Sequence, residues 1–187
     1  MKKTALRSKY KTLRKELKPN EREDLSLLIA NSVLKLPIWK YSFFHIFLTI
    51  ESLKEVLTDP IMSIVSGKDK HIVVSKSDFE TQTMSHVLLQ DNTVLKLNSW
   101  SILEPENGIQ ISDEQIEVVF IPLVAFDKKG NRVGYGKGFY DGFLKKCSKN
   151  TIKIGLSFFD AEILIDDIEP HDIPLNFCVT PNKIYTF

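Results

Sequence analysis

Short apolar runs, separated by segments of helical periodicity, constrain the fold of this chain most strongly. The runs cover residues 43–49, 71–75 and 117–122, and a helical stretch at about 58–66 lies between the first two. An almost wholly apolar run is typical of a strand that is covered on both faces, as in a parallel sheet. The resulting β-α-β order predicts an α/β domain with a mainly parallel sheet flanked by helices.

Two amphipathic helices are predicted before the first of these runs. The first helix carries an apolar stripe formed by Leu6, Tyr10, Leu13 and Leu17. A separate cationic stripe on the same helix is formed by Lys3, Arg7 and Arg14. Pro19 is predicted to end this helix. Asn20 is then expected to cap a second helix, with Glu23 in a capping box, and Pro37 to close it.

The second half of the chain is predicted to add further strands and one helix. The segments are 84–89 and 94–97 as a hairpin or sheet extension, a helix at 138–146, and strands at 151–156, 177–180 and 183–186. The chain contains no internal repeat and no low-complexity segment, and no long linker separates these elements. Residues 1–187 are therefore predicted to form a single domain.

The charge balance excludes several classes of partner. The chain contains 25 Lys and Arg against 24 Asp and Glu, a formal charge of +1, so no bulk field draws it to nucleic acid or to an acidic membrane. No apolar stretch approaches the ~20 residues of a membrane helix, and no signal-peptide pattern follows the basic start. Two cysteines, Cys147 and Cys178, are too few for a disulfide framework. We expect a cytoplasmic monomer whose partners are small molecules.

The glycine-rich segment 126–141 is the strongest candidate for a functional loop. Its three alternating glycines let backbone N–H groups converge on an anion, and a predicted helix follows at once. Arg132 and Lys137 add positive charge, and Asp141 is placed to hold a magnesium ion bound to phosphates. A P-loop is excluded because Asn131 and Gly138 stand where it requires Gly and Ser or Thr. A plain hairpin turn is the alternative, but the built-in charges favour a polyphosphate loop.

This segment is one of five blocks that occur in the same order in one enzyme family. Arg-x-Gly-x-Gly-x-Gly-x-Tyr-Asp at 132–141 follows an apolar strand that ends in Pro122. The other blocks are Lys3-Thr4-Ala5-Leu6-Arg7, Glu55-Val56-Leu57-Thr58, Trp100-Ser101-Ile102-Leu103-Glu104-Pro105, and Ile154-Gly155-Leu156 with His171-Asp172. Together they resemble the 5-formyltetrahydrofolate cyclo-ligase family along nearly the whole chain. The fold expected with this resemblance is an open α/β sandwich like that of sugar isomerases and CoA-transferases.

The resemblance implies an ATP-dependent ring closure that converts 5-formyltetrahydrofolate into 5,10-methenyltetrahydrofolate through an N5-iminium phosphate, with Mg²⁺ as the cofactor. The implied catalytic residues are Arg132, Lys137 and Tyr140. The implied ATP-binding residues are Lys3, Arg7, Arg132, Gly134, Gly136, Lys137, Gly138, Phe139 and Tyr140. The implied folate-binding residues are Leu48, Glu55, Trp100 and Tyr135, and the implied metal ligands are Asp141 and Asp172.

Several of these assignments have alternatives. Lys3 and Arg7 also fit a solvated helix face, and Trp100 also fits a core position. Glu51 rivals Glu55, because the spacing from the strand is two residues longer than the family pattern.

Other residues depart from the family pattern or fit a different function. Ala161 stands near a usual Gln and Ser75 where a strand usually ends in Pro, both on the folate side, and Asp172 also fits a turn cap. A non-catalytic nucleotide- or RNA-binding module and a phosphate-binding sugar isomerase are the alternative functions.

Overall fold

The predicted apolar runs form the middle of one large sheet. The computed structural model describes residues 1–187. Its helices are α1 Lys3–Glu16, α2 Pro19–Val33, α3 Asp59–Gly67 and α4 Phe139–Leu144. Its strands are β1 Phe43–His45, β2 His71–Asp78, β3 Thr83–Leu88, β4 Leu95–Leu97, β5 Leu103–Pro105, β6 Gln110–Ile111, β7 Val118–Pro122, β8 Ala125–Phe126, β9 Arg132–Val133, β10 Ile152–Leu156, β11 Phe177–Val179 and β12 Ile184–Thr186.

Eight of the strands form the main sheet, in the order β12-β11-β10-β7-β1-β2-β3-β6. The five strands from β11 to β2 are parallel, whereas β12, β3 and β6 pair antiparallel at the two edges. This arrangement confirms the predicted α/β class with a mainly parallel sheet in a single domain. No helix is long and apolar enough to cross a membrane.

Strand β7 shows why the central strands are apolar throughout. Val118 and Phe120 pack into a cluster with α2 and α3 on one face of the sheet. Val119 and Ile121 alternate with them and pack with α4 on the other face. Since both faces are covered, every residue from 118 to 121 is fully buried, as expected for a central parallel strand.

Three local predictions differ from the structure. The N-cap of α2 is Lys18 rather than Asn20, because Pro19 occupies the first helical position, where its fixed φ suits a helix start. Glu21 takes the place predicted for Glu23 and accepts a hydrogen bond from the Lys18 backbone N–H over 3.4 Å. Strand β3 extends the sheet as predicted, but β4 pairs with β5 in a separate two-stranded ribbon.

Candidate active site

One cavity of 260 Å³ brings together nearly all of the predicted site residues. It lies beyond the carboxyl ends of β1 and β7, where ligands bind in open α/β sheets. Fourteen predicted residues line it: Lys3, Arg7, Leu48, Glu55, Arg132, Gly134, Tyr135, Gly136, Lys137, Gly138, Phe139, Tyr140, Asp141 and Asp172. Residues from both ends of the chain therefore converge on one site.

The glycine loop needs at least two of its glycines for backbone reasons. Gly136 has φ of 90° and Gly138 has φ of 74°, a region that residues with a Cβ adopt only with strain. A Cβ at Gly136 would lie 3.5 Å from the Arg7 guanidinium carbon, an ordinary contact, so the backbone conformation rather than lack of space requires glycine there. Between the two glycines, Lys137 is exposed and forms no ion pair. Its ammonium group is free to meet an anion.

Arg132 and Asp141 form a buried ion pair at the edge of the cavity. Arg132 is 7% exposed, and its guanidinium donates to Asp141 Oδ1 over 2.5 Å. The same carboxylate oxygen accepts the backbone N–H of Ile173 over 3.2 Å. Burial lowers the pKa of Arg132, and the charge of Asp141 opposes that effect. The Arg132 Nε has no hydrogen-bond partner. The pair fixes the arginine while leaving part of its donor capacity unused.

Lys3 and Asp172 form a second ion pair beside the first. Lys3 Nζ lies 2.5 Å from Asp172 Oδ2, which also accepts the backbone N–H of Glu169 over 2.7 Å. Burial by itself would raise the pKa of Asp172. The hydrogen bonds and the Lys3 charge outweigh it, so the pKa of Asp172 is lowered. Two carboxylates and two cations thus alternate along this wall.

This wall fits a magnesium ion that is held chiefly by phosphate oxygens. No group of three or more His, Cys, Asp or Glu residues is placed to hold a metal on its own. Magnesium commonly binds through one or two carboxylates together with substrate phosphates and water. Asp141 and Asp172 would supply two hard carboxylate ligands to such an ion, and the cations beside them suit the charge of a polyphosphate. The donor set does not fit a thiolate or imidazole metal site.

Of the two rival glutamates, Glu55 lines the cavity and Glu51 does not. Glu55 is 2% exposed; its Oε2 accepts the backbone N–H of Ile50 over 2.7 Å, whereas Oε1 has no hydrogen-bond partner. Burial raises the pKa of Glu55 above its ordinary value. Glu51 has a side chain that is 70% exposed and pairs with Arg22 over 2.6 Å. Of the two glutamates, Glu55 is the one that presents an unused carboxylate oxygen to the cavity.

Arg14 contacts the site residue Tyr135, although no role in the site was predicted for Arg14 from the sequence. It belongs to the predicted cationic stripe, yet it is only 5% exposed and donates to the hydroxyl of Tyr135 over 2.8 Å and to the carbonyl of Leu123. Burial, and then the charge of Glu55, raise the pKa of Tyr135. The tyrosine hydroxyl thus accepts a hydrogen bond from a guanidinium and lies in the field of a carboxylate. The sequence signal was the i, i+7 spacing of Arg14 from Arg7 on one helix face.

Trp100 is the one predicted site residue that does not line the cavity. Its side chain is 65% exposed, and its ring lies 5.4 Å from that of Phe79. Phe79 does line the cavity and also contacts Phe139, at 5.2 Å between ring centroids. Of these two aromatic residues, Phe79 is therefore the one placed to contact a ligand in the cavity. It lies in a turn after β2 and belongs to no predicted motif.

Comparison with known proteins points to one family over the full length of the chain. A sequence model of the 5-formyltetrahydrofolate cyclo-ligase family matches residues 1–181. The 5-formyltetrahydrofolate cyclo-ligase of Mus musculus is 31% identical over 153 residues, which are 78% of this chain and 74% of the mouse protein. The enzyme of that name from Escherichia coli K12 is 26% identical over 179 residues, 92% and 96% of the two chains. The NMR structure of Aquifex aeolicus 5,10-methenyltetrahydrofolate synthetase superposes with a TM-score of 0.83 at 30% identity, covering 100% of this chain and 93% of that chain.

Proposed function

The chain belongs to the 5-formyltetrahydrofolate cyclo-ligase family, an ATP-dependent ligase family, and from that premise we propose that it cyclises 5-formyltetrahydrofolate to 5,10-methenyltetrahydrofolate. The observation that carries the proposal is the convergence of two chemically different walls on one cavity. Lys3, Arg7, Lys137 and their neighbours form a wall suited to phosphates, and Glu55 forms a buried anionic wall suited to hydrogen-bond donors.

The proposed reaction explains why this site combines cations with a glycine-rich loop. The formyl oxygen attacks the γ-phosphorus of ATP, the bond from phosphorus to the ADP oxygen breaks, and an N5-iminium phosphate forms. N10 then adds to the formyl carbon and loses its proton, and orthophosphate departs with the former formyl oxygen. Phosphorylation improves both the electrophile and the leaving group. The protein therefore mainly positions two substrates and neutralises phosphate charge.

Lys137, Arg7 and Lys3 are proposed to bind the phosphates of ATP. Lys137 is exposed and unpaired between two glycines whose conformation opens the backbone N–H groups, and Arg7 lies against the same loop. The Arg7 Nε donates to the carbonyl of Gly134 over 2.8 Å, which leaves its terminal nitrogens available. Electrostatic stabilisation of this kind is the largest single contribution in many enzymes.

Arg132 and Tyr140 are proposed to complete the phosphate site from beneath the loop. Asp141 fixes Arg132 through one terminal nitrogen, and the other terminal nitrogen has no partner, so it can donate to an oxygen without losing its anchor. Burial raises the pKa of Tyr140 well above its ordinary value, so the hydroxyl stays protonated as a hydrogen-bond donor. Both residues are therefore donors to a group that gains negative charge.

Asp141 and Asp172 are proposed to hold a magnesium ion. When bound, the ion would neutralise phosphate charge and align the γ-phosphate for attack. Both carboxylates line the cavity, and Asp141 accepts the N–H of Ile173, the residue after Asp172, which places them on one wall. Asp172 already accepts a hydrogen bond from Lys3, and Asp141 accepts one from Arg132. Both of these cations are proposed to bind the phosphates.

Glu55, Leu48 and Tyr135 are proposed to bind the folate. The pterin presents adjacent N–H and amino donors, and a carboxylate accepts both in parallel. Glu55 has one oxygen without a partner and is enclosed by the cavity, so its charge is most strongly stabilised when such donors arrive. Leu48, Tyr135 and Phe79 supply further apolar and aromatic surface to the same cavity.

The direct test follows the absorbance band of the methenyl product. Purified protein is mixed with 5-formyltetrahydrofolate and ATP with magnesium, and the controls omit ATP or add excess EDTA. We expect the band to appear only in the complete mixture, with one ADP formed per product. Binding of both substrates by calorimetry without any product would overturn the catalytic proposal and leave a binding module.

A further inference from the structure

A second cavity of 270 Å³ adjoins the first and is strongly cationic. Five of its nine lining residues are Arg7, Lys11, Arg14, Lys15 and Lys54, and none is acidic. The whole chain has a formal charge of only +1, so this concentration of positive charge is local. A concave surface lined by one sign of charge focuses the electrostatic field and attracts the opposite ion.

The charges are held in place by the structure of α1 and of the turn after β1. Lys11 and Lys15 are one helical turn apart on the exposed face and form no ion pair, although like charges at this spacing destabilise a helix. Lys54 follows the turn Glu51–Leu53 in a left-handed conformation with φ of 45°. Its Nζ donates to the carbonyls of Lys15 and Leu17 over 2.8 and 2.7 Å, which closes the wall against the end of α1.

Arg14 provides independent evidence that this wall suits an anionic ligand. It is 5% exposed, and its terminal nitrogens donate to Tyr135 and to the Leu123 carbonyl. Its Nε has no hydrogen-bond partner, and no carboxylate lies within ion-pair distance of its guanidinium. A buried guanidinium that is not paired directly with a carboxylate is costly, and an anion in the cavity would offset that cost.

The two cavities share a wall made of Arg7, Leu53 and Tyr135. We infer that the second cavity is an anion-binding subsite for a substrate whose remainder occupies the first cavity. The inference rests on the proposed function for its choice of substrates. Two sources supply the anion: the carboxylates of the glutamyl end of the folate, or a phosphate group of the nucleotide. In either case the group would lie between Arg7 and the pair formed by Lys11 and Lys15.

The test compares two double variants of the full chain that carry the same change in charge. Lys11→Gln/Lys15→Gln removes the two exposed cations of the subsite, and Gln keeps the helix propensity. Lys128→Gln/Lys129→Gln is the control, because both residues are exposed, form no ion pair and lie outside both cavities. Calorimetric titrations use three ligands separately: ATP, 5-formyltetrahydrofolate with one glutamate, and the same folate with five.

We expect the subsite variant to bind one class of ligand about tenfold more weakly, and the control variant to bind like the original chain. Weaker binding of the folates, with a greater loss for five glutamates than for one, assigns the subsite to carboxylates. Weaker binding of ATP alone assigns it to a phosphate. Unchanged affinity for all three ligands, or an equal loss in the control, overturns the inference. Because binding is measured without turnover, a protein that shows the expected loss but makes no product would overturn the proposed function alone.

Discussion

Lys3 and Asp172 are 169 residues apart in the chain, and their side chains meet at 2.5 Å on the wall of the first cavity. Both side chains are only 14% exposed. The contact ties the start of α1 to the C-terminal segment. It places one predicted phosphate ligand directly against one predicted metal ligand.

This contact predicts a pH-dependent loss of stability in Lys3→Gln. The lowered pKa of Asp172 means that its ionised form stabilises the fold above its ordinary value of 3.8, and that this contribution is lost as the pH falls through the folded-state pKa. Without Lys3, burial dominates and the advantage disappears. We expect urea denaturation to show a loss of about 1–3 kcal/mol at neutral pH, shrinking as the pH falls below 3.8.

Lys2→Gln is the matched control, since Lys2 is exposed and unpaired. An equal loss in both variants, or a difference that persists in acid, would contradict the role given to the ion pair. A point substitution is preferable to removal of residues 1–7, because Leu6 is fully buried and its loss would damage the core.

The glycine loop predicts that Lys137→Met reduces kcat/KM for ATP by about a hundredfold, on the scale of a lost electrostatic contact with a transferring phosphoryl group. Thermal stability should change little, because Lys137 is exposed and has no ion-pair partner. Steady-state rates and a thermal melt measure the two effects. Lys145→Met, an exposed lysine just after α4 that lines neither cavity, should retain the original rates. Full turnover in Lys137→Met would remove the loop from the active site.

The contact between Arg14 and Tyr135 predicts a measurable coupling energy. Arg14→Met and Tyr135→Phe each remove one partner, so their effects should not be additive when the two changes are combined. We expect a coupling of about 0.5–3 kcal/mol in the free energy of unfolding, measured with urea. Additive effects would mean that Arg14 acts only through the Leu123 carbonyl.

Much of the site was predictable because its residues are close in sequence or on one helix face. The loop from Arg132 to Asp141 carries its glycines and charges within ten positions, and local backbone chemistry decides where they point. Arg7 and Arg14 show the limit. Their spacing of seven places both on one face, yet only Arg14 is covered by Tyr135, which comes from a distant segment. Periodicity identifies a face but does not reveal what packs on it.

The segment after β1 shows a second limit. Two extra residues before Glu55 left both Glu51 and Glu55 as candidates, since spacing alone cannot show how an insertion is absorbed. The structure absorbs it in the turn Glu51–Leu53 and in the left-handed Lys54, which turns Glu51 outward and Glu55 inward. Trp100 lies outside the cavity for a related reason, because an aromatic residue in a motif does not reveal which side of a loop it occupies.

The position of Glu55 predicts that Glu55→Gln raises KM for 5-formyltetrahydrofolate without changing KM for ATP. A carboxylate accepts two parallel hydrogen bonds from the pterin, whereas an amide accepts one and leaves a donor poorly matched. The loss should be about 1.5–3 kcal/mol, or roughly tenfold to a hundredfold. Steady-state kinetics with each substrate varied in turn separates the two constants.

The same variant should be more stable than the original chain at neutral pH, which distinguishes a lost contact from a damaged fold. Burial raises the pKa of Glu55, so the folded state binds its proton more tightly than the unfolded state does. Stability is therefore full below the ordinary value of 4.5 and declines as the pH rises through the folded-state pKa. A neutral Gln avoids that decline, and urea denaturation at neutral pH and at pH 4 measures the difference in stability between the two chains.

Glu51→Gln is the matched control for the KM effect and should keep the original KM, since Glu51 faces Arg22 outside the cavity. A folate defect in Glu51→Gln and none in Glu55→Gln would place the pterin one helical turn earlier, and no defect in either would place it on another wall.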